Sequence, residues 1–296
     1  MTQFDEGTLH TVTTGLRFPE GPVALDDGTV LVSEIEGAAL TLVYPDGTTH
    51  SIDVGGGANG AALGPDGAVY VCNDGGLAFQ SEDGIRFPYA LAEGNEGGSV
   101  QRVDLATESV QTVFTHCDDV RIGNLNDIVF DTSGWCYIVD TTIGAVYYAD
   151  PIGGVIGVAE RGLEFPNGMG LSPDGSRLYV SETYAGRIFC WDVTAPGVLA
   201  NKTELYSSNG AHHWDGLAID GAGNVCASNL QHSGITVISP IGEVLAKFVT
   251  PQRDPFVTNL CFGGPGGNTA YICSSGLGIL YSIGWPWPGL RLNFAR

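Results

Sequence analysis

The sequence predicts an all-β fold, a closed six-bladed β-propeller that takes in residues 1–296 as one unit. Three observations predict it. One hairpin pattern occurs six times, its copies are spaced near the length of a four-stranded blade, and no segment carries a long helical period. The clearest copy begins at Asn167-Gly168, runs through an apolar strand to Leu171 and turns at Pro173-Asp174-Gly175. It returns through Leu178-Tyr179-Val180 to Ser181-Glu182. Proline presets φ for a tight turn and glycine accepts positive φ. Alternation and β-branched residues on either side complete the hairpin signal.

The other copies follow the same plan in chain order. Glu20-Gly21 leads to a turn at Asp27-Gly28 and a return through Val30 to Glu34. Asn59-Gly60 leads to Pro65-Asp66-Gly67 and a return from Val69 to Cys72. Asn126-Asp127 leads to Ser133-Gly134 and Cys136 to Asp140, and Asp215-Gly216 leads to Ala222-Gly223 and Val225 to Asn229. Asn259-Leu260 leads to Pro265-Gly266-Gly267 and Ala270 to Cys273. Successive leads are 39, 67, 41, 48 and 44 residues apart. Outer strands are expected at 40–44, 99–104, 110–114, 145–149, 187–193, 235–239 and 244–249. Residues 8–14 alternate in strand fashion and are expected to pair with the strand at 278–283, closing the ring and removing exposed edges.

The second interval exceeds the others by about twenty-five residues, well beyond ordinary loop length. The surplus lies in residues 75–98 and follows a second strand, which in a propeller returns to the face where inner strands begin. Phe79, Phe87, Pro88 and Tyr89 give it enough apolar surface to order. It is expected to be a flap over the ring, a substrate lid.

A residue at the same phase in every repeat faces the same way. The leads are Glu20, Asn59, Asn126, Asn167, Asp215 and Asn259, all carboxylates or carboxamides. If the first strand of each repeat lines the channel, six oxygen-bearing side chains converge on one axis. Asn or Asp at a strand start commonly caps a turn. Glu20 is a poor turn former, and the recurrence favours a shared site. Such a ring suits a hard cation, Ca²⁺ above all, with Mg²⁺, Mn²⁺ and Zn²⁺ as alternatives. With no thiolate and no His among the leads, a structural zinc is not expected.

The formal net charge of −21, with Lys202 and Lys247 the only lysines, argues against nucleic acid and against anionic membrane surfaces. No apolar run approaches transmembrane length. Residues 1–6 have neither a basic region nor an apolar core, so no signal peptide is expected. The seven cysteines form no Cys-x-x-Cys and are odd in number. Four of them, Cys72, Cys136, Cys226 and Cys273, fall on second strands where a small buried residue serves. A reducing cytoplasm is therefore the expected compartment. A monomer or small homo-oligomer is expected.

Phe18-Pro19-Glu20-Gly21-Pro22, Asn124-Leu125-Asn126-Asp127, Phe165-Pro166-Asn167-Gly168 and Trp214-Asp215-Gly216 resemble the SMP-30/regucalcin/gluconolactonase family of six-bladed propeller lactonases. The segments 259–264 and 284–294 are similar as well, so the resemblance covers essentially the whole chain. It implies one divalent cation in the channel, with Glu20, Asn167 and Asp215 as ligands and Asn126 as either ligand or substrate contact. It implies Asp215 as general base. Asn124 matches a substrate-contact position that is Arg in some members.

The chemistry so implied is hydrolysis of a small lactone, a sugar lactone by preference. A cation beside the carbonyl stabilises the oxyanion, and a carboxylate takes the proton of water. Two rivals stand beside it: a phosphotriesterase on the same scaffold, and a propeller that only binds a ligand. Asn59 on the ring, and Asp140, Glu182 and Tyr184 at the ends of second strands, are expected to contact substrate. His213, two residues before Asp215, and His232 on the same face are further candidates to orient substrate or share in proton transfer. A lone Trp191-Asp192 does not make a WD40 blade, and Gly55-Gly56-Gly57 precedes no helix, which excludes a phosphate loop. No Gly-x-Ser-x-Gly occurs, which counts against a serine esterase.

Overall fold

Six four-stranded antiparallel sheets follow one another along the chain. The computed structural model describes residues 9–294. Its innermost strands are Pro19–Ala24, Ala58–Leu63, Leu125–Phe130, Pro166–Leu171, Trp214–Ile219 and Val257–Gly263. Each heads its own sheet and touches the innermost strands on both sides, and the sixth returns to the first. The fold is the six-bladed β-propeller that the repeat predicts.

The second strands read as unbroken apolar runs because they are covered on both faces. Every residue of Val30–Glu34, Val69–Asn73, Cys136–Asp140 and Val225–Asn229 is buried, so strict alternation is not demanded of them. The core is divided into six apolar wedges, one between each pair of neighbouring blades. Leu31 and Leu40 of blade one meet Val69 and Val103 of blade two, and Tyr137 and Val139 of blade three meet Leu178 and Trp191 of blade four. Each such side chain stabilises the ring by roughly 1.5–3 kcal/mol through burial.

The ring closes as the sequence predicts. His10–Thr14 pairs antiparallel with Ile279–Gly284, with His10 opposite Ser282, so the sixth blade draws strands from both ends of the chain. Thr8, the first residue of the expected strand, lies outside the described residues. Thr49–Asp53, Val155–Arg161 and Val198–Ser207 are outermost strands that the sequence reading does not delimit. Ile52 is the only buried residue in these three strands, which removes the alternation that reveals a half-buried strand. All seven cysteines are free and buried. Among the described residues no helix is long and apolar enough to cross a membrane.

Two additions frame the channel. The surplus in blade two folds as a hairpin of Leu77–Glu82 and Ile85–Leu91. It reaches to the sixth and first blades: the Arg86 amide donates to the Gly276 carbonyl (2.8 Å) and its guanidinium pairs with Glu36. Phe79 packs on Phe18 (centroids 5.0 Å apart) and Phe87 stacks on Phe256 (6.2 Å). At the opposite end, the chain after Trp285 crosses the ring. Leu290 and Leu292 line one cavity with Asp127, Met169 and Asn259. The Gly221 amide donates to Pro288 O (2.6 Å), and Asn293 Nδ2 donates to Phe130 O (2.9 Å). This segment floors the channel.

Candidate functional site

The lead residues sit where each innermost strand slips against its neighbour. Register shifts fall between Glu20 and Val23, Ala58 and Ala61, Leu125 and Ile128, Pro166 and Met169, Trp214 and Leu217, and Val257 and Asn259. A bulge frees a side chain from the ladder and re-aims it. The same irregularity lets adjacent inner strands nearly touch. A Cβ on Gly60 would lie 2.4 Å from Asn126 O, and one on Gly168 2.4 Å from Leu217 N. The polar-residue-plus-glycine pattern thus records ring closure as well as a site. Phe18 and Phe165, each two residues before a lead, hold positive φ (57° and 54°), a strained conformation that clusters at functional sites.

Glu20 Oε2 accepts from Gly21 N and from Asn259 Nδ2, both at 3.1 Å, across the junction of the first and sixth blades. Burial raises the Glu20 pKa above its ordinary value, and hydrogen bonds from Thr258, Asn259 and the Gly21 amide pull it partly back. Asp215 lies well above the carboxylate range. Burial is the first cause and the Glu20 charge the second, opposed by hydrogen bonding from Asn167 and the Gly216 amide. These two carboxyls from blades one and five therefore share one poorly solvated space. Each disfavours ionisation of the other.

Around them stand carboxamides. Asn59 Oδ1 and Asn167 Oδ1 are buried with no hydrogen-bond donor among the described residues. Asn167 Nδ2 is turned to Thr183 Oγ1 (3.2 Å), which leaves its oxygen facing away. Asn126 and Asp215 are half-buried. Among the described residues no three His, Cys, Asp or Glu side chains cluster as metal ligands. The donor set here is two carboxylates with carboxamide oxygens, and oxygen-only sets of this kind fit hard cations.

The other residues singled out from the sequence fall into three groups. Tyr184 is 61% exposed and packs against Phe165 (4.7 Å) and edge-on to His213 (5.4 Å), an aromatic group at the rim. Asp140 and Glu182, read from the sequence as pocket-wall residues, already hold a donor on each oxygen. Asp140 accepts from Gly123 N, Ile143 N and Tyr147 OH, and Glu182 from Glu164 N and the Arg187 guanidinium. Glu34 takes the Arg17 amide in the same way. The polar end of a second strand thus anchors the segment that enters the inner strand. Asn124 is likewise engaged, donating to Asp74 O (2.9 Å) and accepting from Thr142 Oγ1 (2.7 Å). His232 packs edge-on to His212 (4.7 Å), near Lys247 of the outermost strand of blade five. Burial and then the Lys247 charge hold its pKa below the usual imidazole value.

Two acids escape the sequence reading. Asp127 follows a lead where most blades have glycine, and its carboxylate accepts from Ile128 N and from Met169 N of the next blade, both at 2.9 Å. Burial pushes it up to about 7, with the two amides opposing and Glu20 adding. Asp74 follows the second strand of blade two and is 2% exposed. Its Oδ1 accepts from Gly76 N (2.7 Å), and its Oδ2 has no partner among the described residues. Burial pushes it to about 7 as well, against the Gly76 amide and with help from Glu20. Aligning the repeats reveals both, because each is the charged residue at a phase where the other blades are neutral.

Comparison with known proteins agrees with this architecture. A gluconolactonase of Zymomonas mobilis is 26% identical over 306 aligned residues, covering 90% of this chain and 79% of that protein. The pentonolactonase XacC of Haloferax volcanii is 26% identical, covering 90% of this chain and 84% of its own. The crystal structure of a calcium-binding protein, regucalcin, from Agrobacterium tumefaciens superposes with a TM-score of 0.78 at 16% identity, covering 98% of each chain. The model of the SMP-30/Gluconolactonase/LRE-like region matches residues 18–276, from the first strained phenylalanine through all six innermost strands. The chain therefore belongs to the SMP-30/gluconolactonase family.

Proposed function

We propose that this protein hydrolyses a small lactone, a sugar lactone by preference, at the lead ring, with one divalent cation held by Glu20, Asn167 and Asp215 and joined by Asn126. The observation that carries the reading is the placement of buried Glu20 and half-buried Asp215 at the same phase of innermost strands, beside carboxamide oxygens without donors among the described residues. Left alone, two such carboxyls destabilise each other. A divalent cation between them turns that cost into attraction. The gluconolactonase and pentonolactonase relatives support the substrate class.

When bound, the cation supplies Lewis-acid polarisation of the lactone carbonyl. Asp215 takes the proton of the attacking water. Asn59 and Asn126 line the approach. Phe165, Tyr184 and His213 offer an aromatic wall to one face of a sugar ring. The hairpin of 77–91 covers the side of the ring formed by blades one and six. Ca²⁺ is the ion proposed for the site, because the donors are all oxygens, two from carboxylates and two from carboxamides. Asp140, Glu182 and Asn124 hold the chain in place around these groups.

The test is a panel of aldonolactones followed with a pH indicator, on protein stripped with EDTA and reloaded in turn with Ca²⁺, Mg²⁺, Mn²⁺ and Zn²⁺. Hydrolysis that disappears on stripping and returns with one of these ions is expected. Absence of hydrolysis with every ion, or full activity in the stripped protein, refutes the proposal.

A further inference from the structure

The mouth of the ring has a second tier that repeats as regularly as the leads. In each blade the residue after the second strand donates its amide to a carbonyl just before the inner strand. The pairs are Ile35 with Phe18, Asp74 with Gly57, Thr141 with Asn124, Thr183 with Phe165, Leu230 with His213, and Ser275 with Phe256. The carbonyl partners carry the side chains of this tier, three of them phenylalanines. Blade two departs from the pattern twice, since its partner is Gly57 and its amide donor is Asp74. These departures fit each other. A Cβ on Gly57 would lie 2.1 Å from Asp74 Oδ1, so the carboxylate occupies the space that a side chain fills in the other blades. Neighbours of the same phase point toward the leads: Thr183 Oγ1 meets Asn167 Nδ2, and Thr141 Oγ1 donates to Pro166 O (2.7 Å).

Asp74 is also held rigidly. Asn124 Nδ2 and Asn95 Nδ2 both donate to its carbonyl, at 2.9 and 3.2 Å, and the Gly76 amide fixes Oδ1. That leaves Oδ2 buried and without a donor among the described residues, in a tier otherwise walled largely by aromatic rings. Asn124 of the same tier is spent on Asp74 O and Thr142. A polyhydroxylated ligand entering this tier brings hydroxyl hydrogens that need acceptors, and an orphan carboxylate oxygen is the strongest acceptor available there.

We propose that Asp74, seated through the notch at Gly57, is a specificity-determining residue that accepts a hydrogen bond from a hydroxyl of the lactone and so selects polyhydroxylated over plain aliphatic lactones. The inference rests on the lactonase reading above and adds the residue that sorts its substrates. A site built to pair a substrate hydroxyl discriminates strongly against an analogue that lacks it.

The experiment compares, at pH 8 where the Asp74 carboxyl is ionised, kcat/KM for glucono-δ-lactone and for δ-valerolactone, with the uncatalysed rates subtracted, in the wild type and in two variants. Asp74→Asn keeps the shape and the Gly76 contact but replaces Oδ2 by a donor. Gly57→Ala keeps the carboxylate but pushes it out of the notch, so it tests the position without removing the charge. The ratio of the two specificity constants is expected to fall about tenfold or more in each, the size of a lost charge-assisted hydrogen bond. A ratio within twofold of wild type in either variant overturns the proposal. A wild-type protein inert to both lactones instead refutes the lactonase reading, and this inference falls with it.

Discussion

Replacing Asp74 by Asn should stabilise the metal-free protein, by an amount that grows as pH rises from about 4 to about 7 and is full by pH 8. The carboxyl moves from an ordinary value of 3.8 to about 7 in the folded state, chiefly by burial. The folded state therefore holds this proton over a pH range in which the unfolded chain has released it. Stability from that difference is complete below 3.8 and is lost as pH rises through about 7. Three units at about 1.4 kcal/mol each put the loss on the order of 4 kcal/mol at pH 8. Asn cannot ionise and should escape it. With an unfolding entropy of about 2.1 cal/mol/K per residue, a chain of this length gains roughly 6–7 °C in Tm. The assay is differential scanning fluorimetry in EDTA at pH 5 and pH 8. The variant should melt several degrees above wild type at pH 8 and within about a third of that difference at pH 5, where most of the carboxyl is protonated in the folded state. A variant no more stable than wild type at pH 8, or equally shifted at both pH values, refutes the reasoning. Asp74 would then be neither desolvated nor charged at its site.

Three further outcomes follow from the ring and its cover. Glu20→Gln should weaken divalent-cation affinity tenfold or more, about 1.4 kcal/mol, read as a smaller metal-induced rise in Tm, and excess metal should restore part of its activity. Asp215→Asn also loses its carboxylate but should stay inactive at saturating metal, since a carboxamide takes no proton from water; recovery of wild-type kcat would reduce Asp215 to a ligand. Exchanging residues 77–91 for a short Gly-Ser turn removes the Phe79–Phe18 and Phe87–Phe256 contacts while sparing Asn95. It should raise KM for the lactone with metal binding retained, and unchanged kinetics would show that the hairpin is not a lid.

The repeat was legible because one pattern served two physical demands. The polar lead marks a bulged inner strand and the glycine after it marks a near-contact between backbones, so Gly60 and Gly168 advertise the ring as plainly as Asn59 and Asn167 mark the bulges. Closure through His10–Thr14 was legible from alternation alone. The outermost strands were harder, since Thr49–Asp53 is nearly all solvent-facing and packing leaves no period in it. Asp140 and Glu182 looked like pocket walls because polar residues at strand ends commonly serve function. Their hydrogen bonds to entering amides are invisible to spacing, and only comparison with Glu34 at the same phase separates support from site. Asp74 and Gly57 lie 17 residues apart in sequence. Their meaning emerges only when each is compared with five counterparts and then with the other.

A ring of identical repeats would present six equivalent oxygens and bind nothing in a defined orientation. Chemistry enters where the repeat is broken. Carboxamides at four leads add acceptors without charge, and their burial costs little more than their hydrogen bonds return. The carboxylates at the other two raise the cost steeply, because each is desolvated and faces the other. Asp127 and Asp74 add to the same field. Adjacent inner strands nearly touch, the apolar wedges are continuous, and the chain after Trp285 floors the far end, so the scaffold can carry that cost. Stability and function are thus assigned to different parts of one pattern. The wedges and glycines supply the first, the few residues that depart from the consensus are the ones proposed to supply the second, and neutralising a departure should shift the balance toward the fold.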